Sequence, residues 1–179
     1  MIYVFLADGF EEIEALSTVD ILRRAELKVK TVGINKKIVT GAHGISVMAD
    51  IREEDVDNES IEAIVLPGGM PGTLNLENSR ELKDIINYTY INKNYIAAIC
   101  AAPSILGHMG ILKDKEATCF PGFESELIGA KLVDKPVCVD EHIITAKGPG
   151  VSNLFGLKLV EIMCGEEVAS KVRMSMQCI

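Results

Sequence analysis

The stretch Ile96-Ala97-Ala98-Ile99-Cys100-Ala101-Ala102-Pro103 limits the possible folds more than any other part of this chain. Ile96–Ile99 is apolar and uncharged, as a strand inside a sheet must be. Pro103 suits the first turn of a helix and disrupts a helix interior. The backbone must therefore change from strand to helix within a few residues, with Cys100 at the corner. So sharp a corner leaves no room for side chains two positions to either side, and Ala98 and Ala102 stand there. Small-x-nucleophile-x-small is the pattern of a nucleophile elbow, here with Cys in place of Ser. A thiol at a helix N-terminus meets backbone N–H groups and a dipole that favour the thiolate. The N–H of Ala101 would point toward an oxyanion forming beside the sulfur. The same residues also suit a buried structural cysteine, because free Cys is among the most buried residue types.

The rest of the chain alternates strand and helix patterns. Ile2–Ala7 reads as a buried strand, and Phe10–Ala25 as a helix with Ile13, Leu16, Val19 and Leu22 on its inner face. Leu27–Ile34 is a second strand. Ile38–Thr40 and Ile45–Met48 form a hairpin-like excursion, and the acidic 51–60 segment is a loop. Ile61–Leu66 is a third buried strand ending in Pro67-Gly68-Gly69-Met70-Pro71-Gly72, where adjacent glycines let backbone approach closely. Leu74–Tyr90 is one or two helices with Leu82, Ile85 and Ile86 inward, and a further helix runs from Pro103 to about Met109. Glu116–Phe120 reads as a short strand and Phe123–Gly129 as a short helix. Pro136–Asp140 and Ile143–Ala146 flank Glu141-His142 as a tight antiparallel pair or a bent strand. Val151–Cys164, with Leu154, Leu157, Val160 and Ile162 inward, and Glu166–Met174 are the last helices. Such alternation predicts an α/β fold, a mostly parallel sheet with helices on both faces. Ligands of these sheets bind beyond the carboxyl ends of the strands. The loops Asp8–Glu14, Pro67–Gly72 and the Cys100 corner all fall there.

With 179 residues and no linker or repeat, the chain is expected to form a single domain, 1–179. The net charge of −8 argues against nucleic acid and anionic membranes as partners. The five cysteines are widely spaced and form no CxxC, so no disulfide framework or metal site is expected. The first residues, Met1 to Asp8, lack a basic leader and read as a strand rather than a signal peptide, which predicts a cytoplasmic protein.

Four motifs in order resemble the ThiJ/PfpI family, in the branch of the parkinsonism-associated deglycase and its bacterial relatives. They are Ala7-Asp8-Gly9-Phe10-Glu11-Glu12-Ile13-Glu14, Val65-Leu66-Pro67-Gly68-Gly69, the Cys100 elbow, and Thr145-Ala146-Lys147-Gly148-Pro149-Gly150. The resemblance implies a flavodoxin-like three-layer sandwich, a homodimer, and no cofactor. It implies that Cys100 is the reactive cysteine, Glu14 the carboxylic acid touching its sulfur, and Gly69 and Ala101 the backbone donors of the oxyanion site. It also implies glyoxalase or deglycase chemistry on 2-oxoaldehydes or glycated groups. The alternative is an oxidative-stress sensor or holdase chaperone using the same cysteine. Arg24 and His43 correspond to positions lining the pocket mouth in relatives, although a solvated helix-end Arg and a loop His are the plainer readings.

The chain departs from the family where many members place a His before Pro: here the stretch is Thr118-Cys119-Phe120-Pro121. Protease-like members have His directly after the cysteine, where this chain has Ala101. Cys–His chemistry needs an imidazole within hydrogen-bond reach of sulfur. His108 would lie about 12 Å along a helix from Cys100, and His142 sits in a different turn. A Cys–His peptidase is therefore not expected. Without His, Glu14 assists only if it keeps its proton, since an ionised carboxylate beside a thiolate repels it. Burial would raise the Glu14 pKa in that direction, and the pair would share one proton. Glu11 and Glu12 need no role beyond favouring the helix dipole. Cys119 could resolve an oxidised Cys100, or be a partly buried bystander.

Overall fold

The structure, a computed structural model, describes residues 1–178. In chain order the elements are β1 (Ile2–Leu6), α1 (Glu12–Arg24), β2 (Val29–Gly33), β3 (Ile38–Thr40), β4 (Ser46–Met48), β5 (Ile51–Arg52), β6 (Ala63–Leu66), α2 (Gly72–Asn78), α3 (Arg80–Ile91) and β7 (Tyr95–Ile99). There follow α4 (Pro103–His108), β8 (Glu116–Ala117), β9 (Lys131–Leu132), β10 (Val137–Asp140), β11 (Ile143–Ala146), α5 (Ser152–Cys164) and α6 (Glu166–Ser175). Seven strands form the main sheet in the order β10-β11-β7-β6-β1-β2-β5. All pair in parallel except β10 with β11.

Period-two alternation sorts side chains onto the two faces of this sheet. Tyr3, Phe5 and Ala7 pack with Leu76, Leu82, Ile85, Ile86, Ile105 and Leu106, from α2, α3 and α4. Ile2, Val4 and Leu6 pack with Ala15, Val19, Leu22, Phe155, Val160 and Val172, from α1, α5 and α6. Three layers result, with both faces of β1 buried, so its sequence is a continuous apolar run rather than an alternating one. Each fully buried Val, Leu, Ile or Phe contributes about 1.5–3 kcal/mol. The strand order reverses at β1, whose neighbours are β2 on one side and β6 on the other. The crevice beyond the carboxyl ends of β1 and β6 is thus the switch point, where ligands of such sheets bind.

The expected strands and helices are present, with local differences. Of the helical stripe expected to face inward on α1, Val19 and Leu22 are buried, but Ile13 is 54% exposed and Leu16 36%. The helix is rotated because Glu14, Ala15 and Thr18 take the inner face. On α5, Phe155 and Leu159 are buried with Leu157 and Val160, while Leu154 is exposed. The 51–60 segment includes an edge strand, β5, paired with β2. The strand expected over Glu116–Phe120 is only Glu116–Ala117, because Phe120 leaves it to donate its N–H to Cys100 O at 2.9 Å. The helix expected over Phe123–Gly129 is a single 3₁₀ turn at Glu124–Glu126, since the backbone leaves the helical region at Leu127, φ −82° and ψ 64°. Among the described residues, no helix is long and apolar enough to cross a membrane.

Candidate functional site

The geometry begins at the corner after β7. Cys100 has φ +66°, a left-handed conformation that costs a non-glycine residue about 1–2 kcal/mol. Two hydrogen bonds hold it there: Cys100 N–H donates to Ala146 O at 2.9 Å, and Phe120 N–H donates to Cys100 O at 2.9 Å. Ala98 and Ala102 are both fully buried, as the tight corner requires. Along β7, Ile96 and Ala98 face one layer while Ala97 and Ile99 face the other. Simple alternation would send Cys100 to the face of Ile96 and Ala98. The left-handed corner instead sets it against the layer of α1, where Glu14 stands. Cys119 packs into the opposite layer.

The three acids that open α1 do different work. Glu11 caps the helix: its Oε2 accepts from Ile13 N–H at 2.7 Å and Glu14 N–H at 3.4 Å. Glu12 is buried and fastens the 41–45 loop, accepting from His43 N–H at 2.7 Å and pairing with His43 Nδ1 at 2.7 Å. A favourable effect on the dipole therefore understates its role. Glu14 is 0% exposed. Its Oε2 accepts from Gly68 N–H at 2.7 Å, and its Oε1 has no regular hydrogen-bond partner. The Cys100 thiol is in contact with the same carboxyl group.

The glycine pair after β6 makes this approach possible. A Cβ on Gly68 would lie 2.6 Å from Cys100 Cβ and 2.9 Å from Glu14 Oε2. Gly69 has φ +92°, and a Cβ there would strike Glu11 N at 2.4 Å. With neither side chain in the way, the backbone N–H groups of Gly69 and Ala101 lie close enough to the Cys100 sulfur to favour its charged form. The structure thus brings together the four positions singled out from the sequence: Cys100, Glu14, Gly69 and Ala101.

The electrostatics depart from one expectation. A helix end alone would lower the thiol pKa, but burial and the neighbouring Glu14 push Cys100 up to about 12, against the opposing Ala101 and Gly69 N–H groups. The helix that follows is only six residues long. Burial also pushes Glu14 up to about 7. Once Glu14 holds a proton, its charge no longer opposes the thiolate, and the two N–H groups favour it. An unpartnered buried oxygen costs about 1–3 kcal/mol, and a proton on the carboxyl group would give Glu14 a donor to offer the neighbouring sulfur. The pair accordingly titrates as a unit.

No histidine is among the groups that shift the Cys100 thiol. His108 bridges Glu77 at 2.6 Å and Glu126 at 2.9 Å, tying α2 and the 3₁₀ turn to α4. The His142 backbone meets Ile96 at the start of β7, the far end of that strand from Cys100. Arg24 pairs with Asp20 about 15 Å along α1 from Glu14. Within this chain it does not reach the Glu14 end of the helix. Glu11, Glu12 and His43 are close enough to reach one ion, yet both carboxylates already accept backbone N–H groups.

The DJ-1/PfpI family profile matches residues 1–162. Protein DJ-1 homolog B of Arabidopsis thaliana is 35% identical over 170 residues, covering 93% of this chain but only 39% of that protein. The glutathione-independent glyoxalase DJR-1.2 of Caenorhabditis elegans is 33% identical over 159 residues, covering 88% of this chain and 84% of the relative. The oxidised structure of Toxoplasma gondii DJ-1 superposes with a TM-score of 0.95 at 34% identity, over 98% of this chain and 97% of that one. The buried acid, the strained cysteine and the paired glycines stand in a fold shared with Toxoplasma gondii DJ-1 over nearly the whole chain, and the chain belongs to the DJ-1/PfpI family.

Proposed function

We propose that this protein handles small reactive carbonyls through Cys100, as a glyoxalase- or deglycase-type enzyme acting on 2-oxoaldehydes such as methylglyoxal, or on their adducts. One observation carries the reading: a half-buried sulfur on a strained corner lies against a fully buried acid, with two backbone N–H groups near enough to favour its thiolate. The glyoxalase name of the nematode relative supports it.

The Cys100 thiolate attacks the aldehyde carbon C1, and the C1 oxygen becomes an oxyanion beside the Gly69 and Ala101 N–H groups. That oxygen takes the Glu14 proton, giving a hemithioacetal and a Glu14 carboxylate. The carboxylate then removes the C1 proton and returns it to C2, while the hydroxyl proton passes from the C1 oxygen to the C2 oxygen. C1 is oxidised to a thioester as C2 is reduced to an alcohol, so no external oxidant or reductant enters. Water cleaves the thioester, releasing the 2-hydroxyacid and regenerating the thiol pair. The expected result is steady lactate formation from methylglyoxal without glutathione. Stoichiometric consumption that stops at one equivalent per chain would overturn the reading.

The expected homodimer belongs to the same proposal. Ile13 and Leu16 on α1, with Ile38, Ile45 and Met48 around the β3–β4 hairpin, are exposed large hydrophobics. Apolar side chains gathered this way mark interaction surfaces. Sedimentation equilibrium should return twice the chain mass, and a concentration-independent monomer would contradict the dimer. The five free cysteines suit a reducing, cytoplasmic setting.

A further inference from the structure

Phe120 stands where a family histidine would stand, and the mechanism above gives it no task. Its backbone is fixed by the hydrogen bond to Cys100 O. Its ring lies against Gly148: a Cβ on that glycine would be 2.9 Å from Phe120 Cδ2 and 3.8 Å from Cys100 Sγ. Ring and sulfur therefore flank the same point of backbone. The ring is 42% exposed. A large apolar side chain left open beside a nucleophile is costly to hydrate and ready to be covered. Next to it is a shallow, open cleft of about 230 Å³ lined chiefly by Phe120, Pro121, Gly148, Pro149, Gly150 and Val151. The one charged side chain there, Lys147, is paired with Asp134. Nothing in this lining calls for a charged or strongly hydrogen-bonding ligand, whereas an aryl group would find aromatic and proline faces.

We propose that Phe120 and this cleft form a subsite for the substituent on C2 of the substrate, making the protein selective for 2-oxoaldehydes bearing an aryl or branched alkyl group over methylglyoxal. The inference rests on the 2-oxoaldehyde reading and specifies its substrate class. Phe120 acts here as a specificity-determining residue, without touching the protons that move. A single hydrophobic pocket contact changes discrimination by about 10–200-fold.

The test compares phenylglyoxal with methylglyoxal in the wild-type protein, Phe120→Ala and Phe120→Leu. The ratio of kcat/KM values should favour phenylglyoxal in the wild type and fall about tenfold or more in Phe120→Ala, with Phe120→Leu between them. A second readout needs no turnover: the rate of Cys100 alkylation by 2-bromoacetophenone relative to iodoacetamide, followed on the Cys100 peptide by mass spectrometry. That ratio should fall in the same order. If neither aldehyde is turned over but the alkylation ratio falls, the subsite stands and the glyoxalase reading fails. If both ratios are unchanged by Phe120→Ala, the subsite is overturned, whatever the absolute rates.

Discussion

Replacing Cys100 with serine is expected to reduce lactate formation from methylglyoxal by at least about 10³-fold. The reason lies in the site's contents. A hydroxyl is a far weaker nucleophile than a thiolate, and no imidazole is present to activate it. Glu14 alone would have to serve as base, from a buried position already holding Gly68 N–H. The fold should survive, because serine is smaller than cysteine and its backbone is held by the same two hydrogen bonds, to Ala146 O and from Phe120 N–H. An unchanged melting temperature with lost turnover is the expected pair of results. A serine variant retaining more than a tenth of the activity would place the chemistry elsewhere.

Glu14→Gln has the next largest effect, and it acts in two directions. Turnover should fall by about 10²–10⁴-fold, the usual loss when a positioned proton-transfer group is removed. Stability should rise. Glu14 moves from an ordinary 4.5 to about 7 in the folded chain. Between those values the unfolded chain has released its proton while the folded chain keeps it, so wild-type stability falls as pH rises across this window. Above pH 7 the accumulated cost is about 3 kcal/mol. Glutamine carries no charge and can still accept from Gly68 N–H. Its unfolding free energy should lack this decline, so the variant gains on the wild type from about pH 5 upward. Urea midpoints measured from pH 5 to 8 read the effect directly. Parallel curves for the two proteins would mean that burial of Glu14 carries no ionisation cost.

Why was much of this legible in the sequence? The corner at Cys100 is written by local rules: a strand that must end, a proline that must start a helix, and two alanines where nothing larger fits. The layer order followed from apolar runs separated by helices. What the residues did not disclose was orientation. Ile13 and Leu16 look inward by spacing, yet the helix is turned so that Glu14 reaches Gly68 N–H, and a long-range contact of this kind leaves no local trace. Periodicity could not choose Glu14 over Glu11 or Glu12; the resemblance did. The buried anchoring role of Glu12 was missed because its partners lie 31 or more residues away, in the 43–45 loop. The left-handed backbone at Cys100, which turns the sulfur toward α1, follows from the elbow pattern only once the face of each β7 residue is known.

The central claim is that Cys100 and Glu14 together hold one proton once the pH passes about 7. The ratio of the two arrangements, acid with thiolate or carboxylate with thiol, is then independent of pH, because both contain the same number of protons. The most direct measurement is the rate of Cys100 alkylation by iodoacetamide as a function of pH, followed on the Cys100 peptide by mass spectrometry. The wild-type rate should rise through the Glu14 pKa of about 7 and then hold level to pH 9. A wild-type rate that climbs tenfold per pH unit from 7 to 9, as for an isolated thiol pushed up to about 12, would contradict the shared proton.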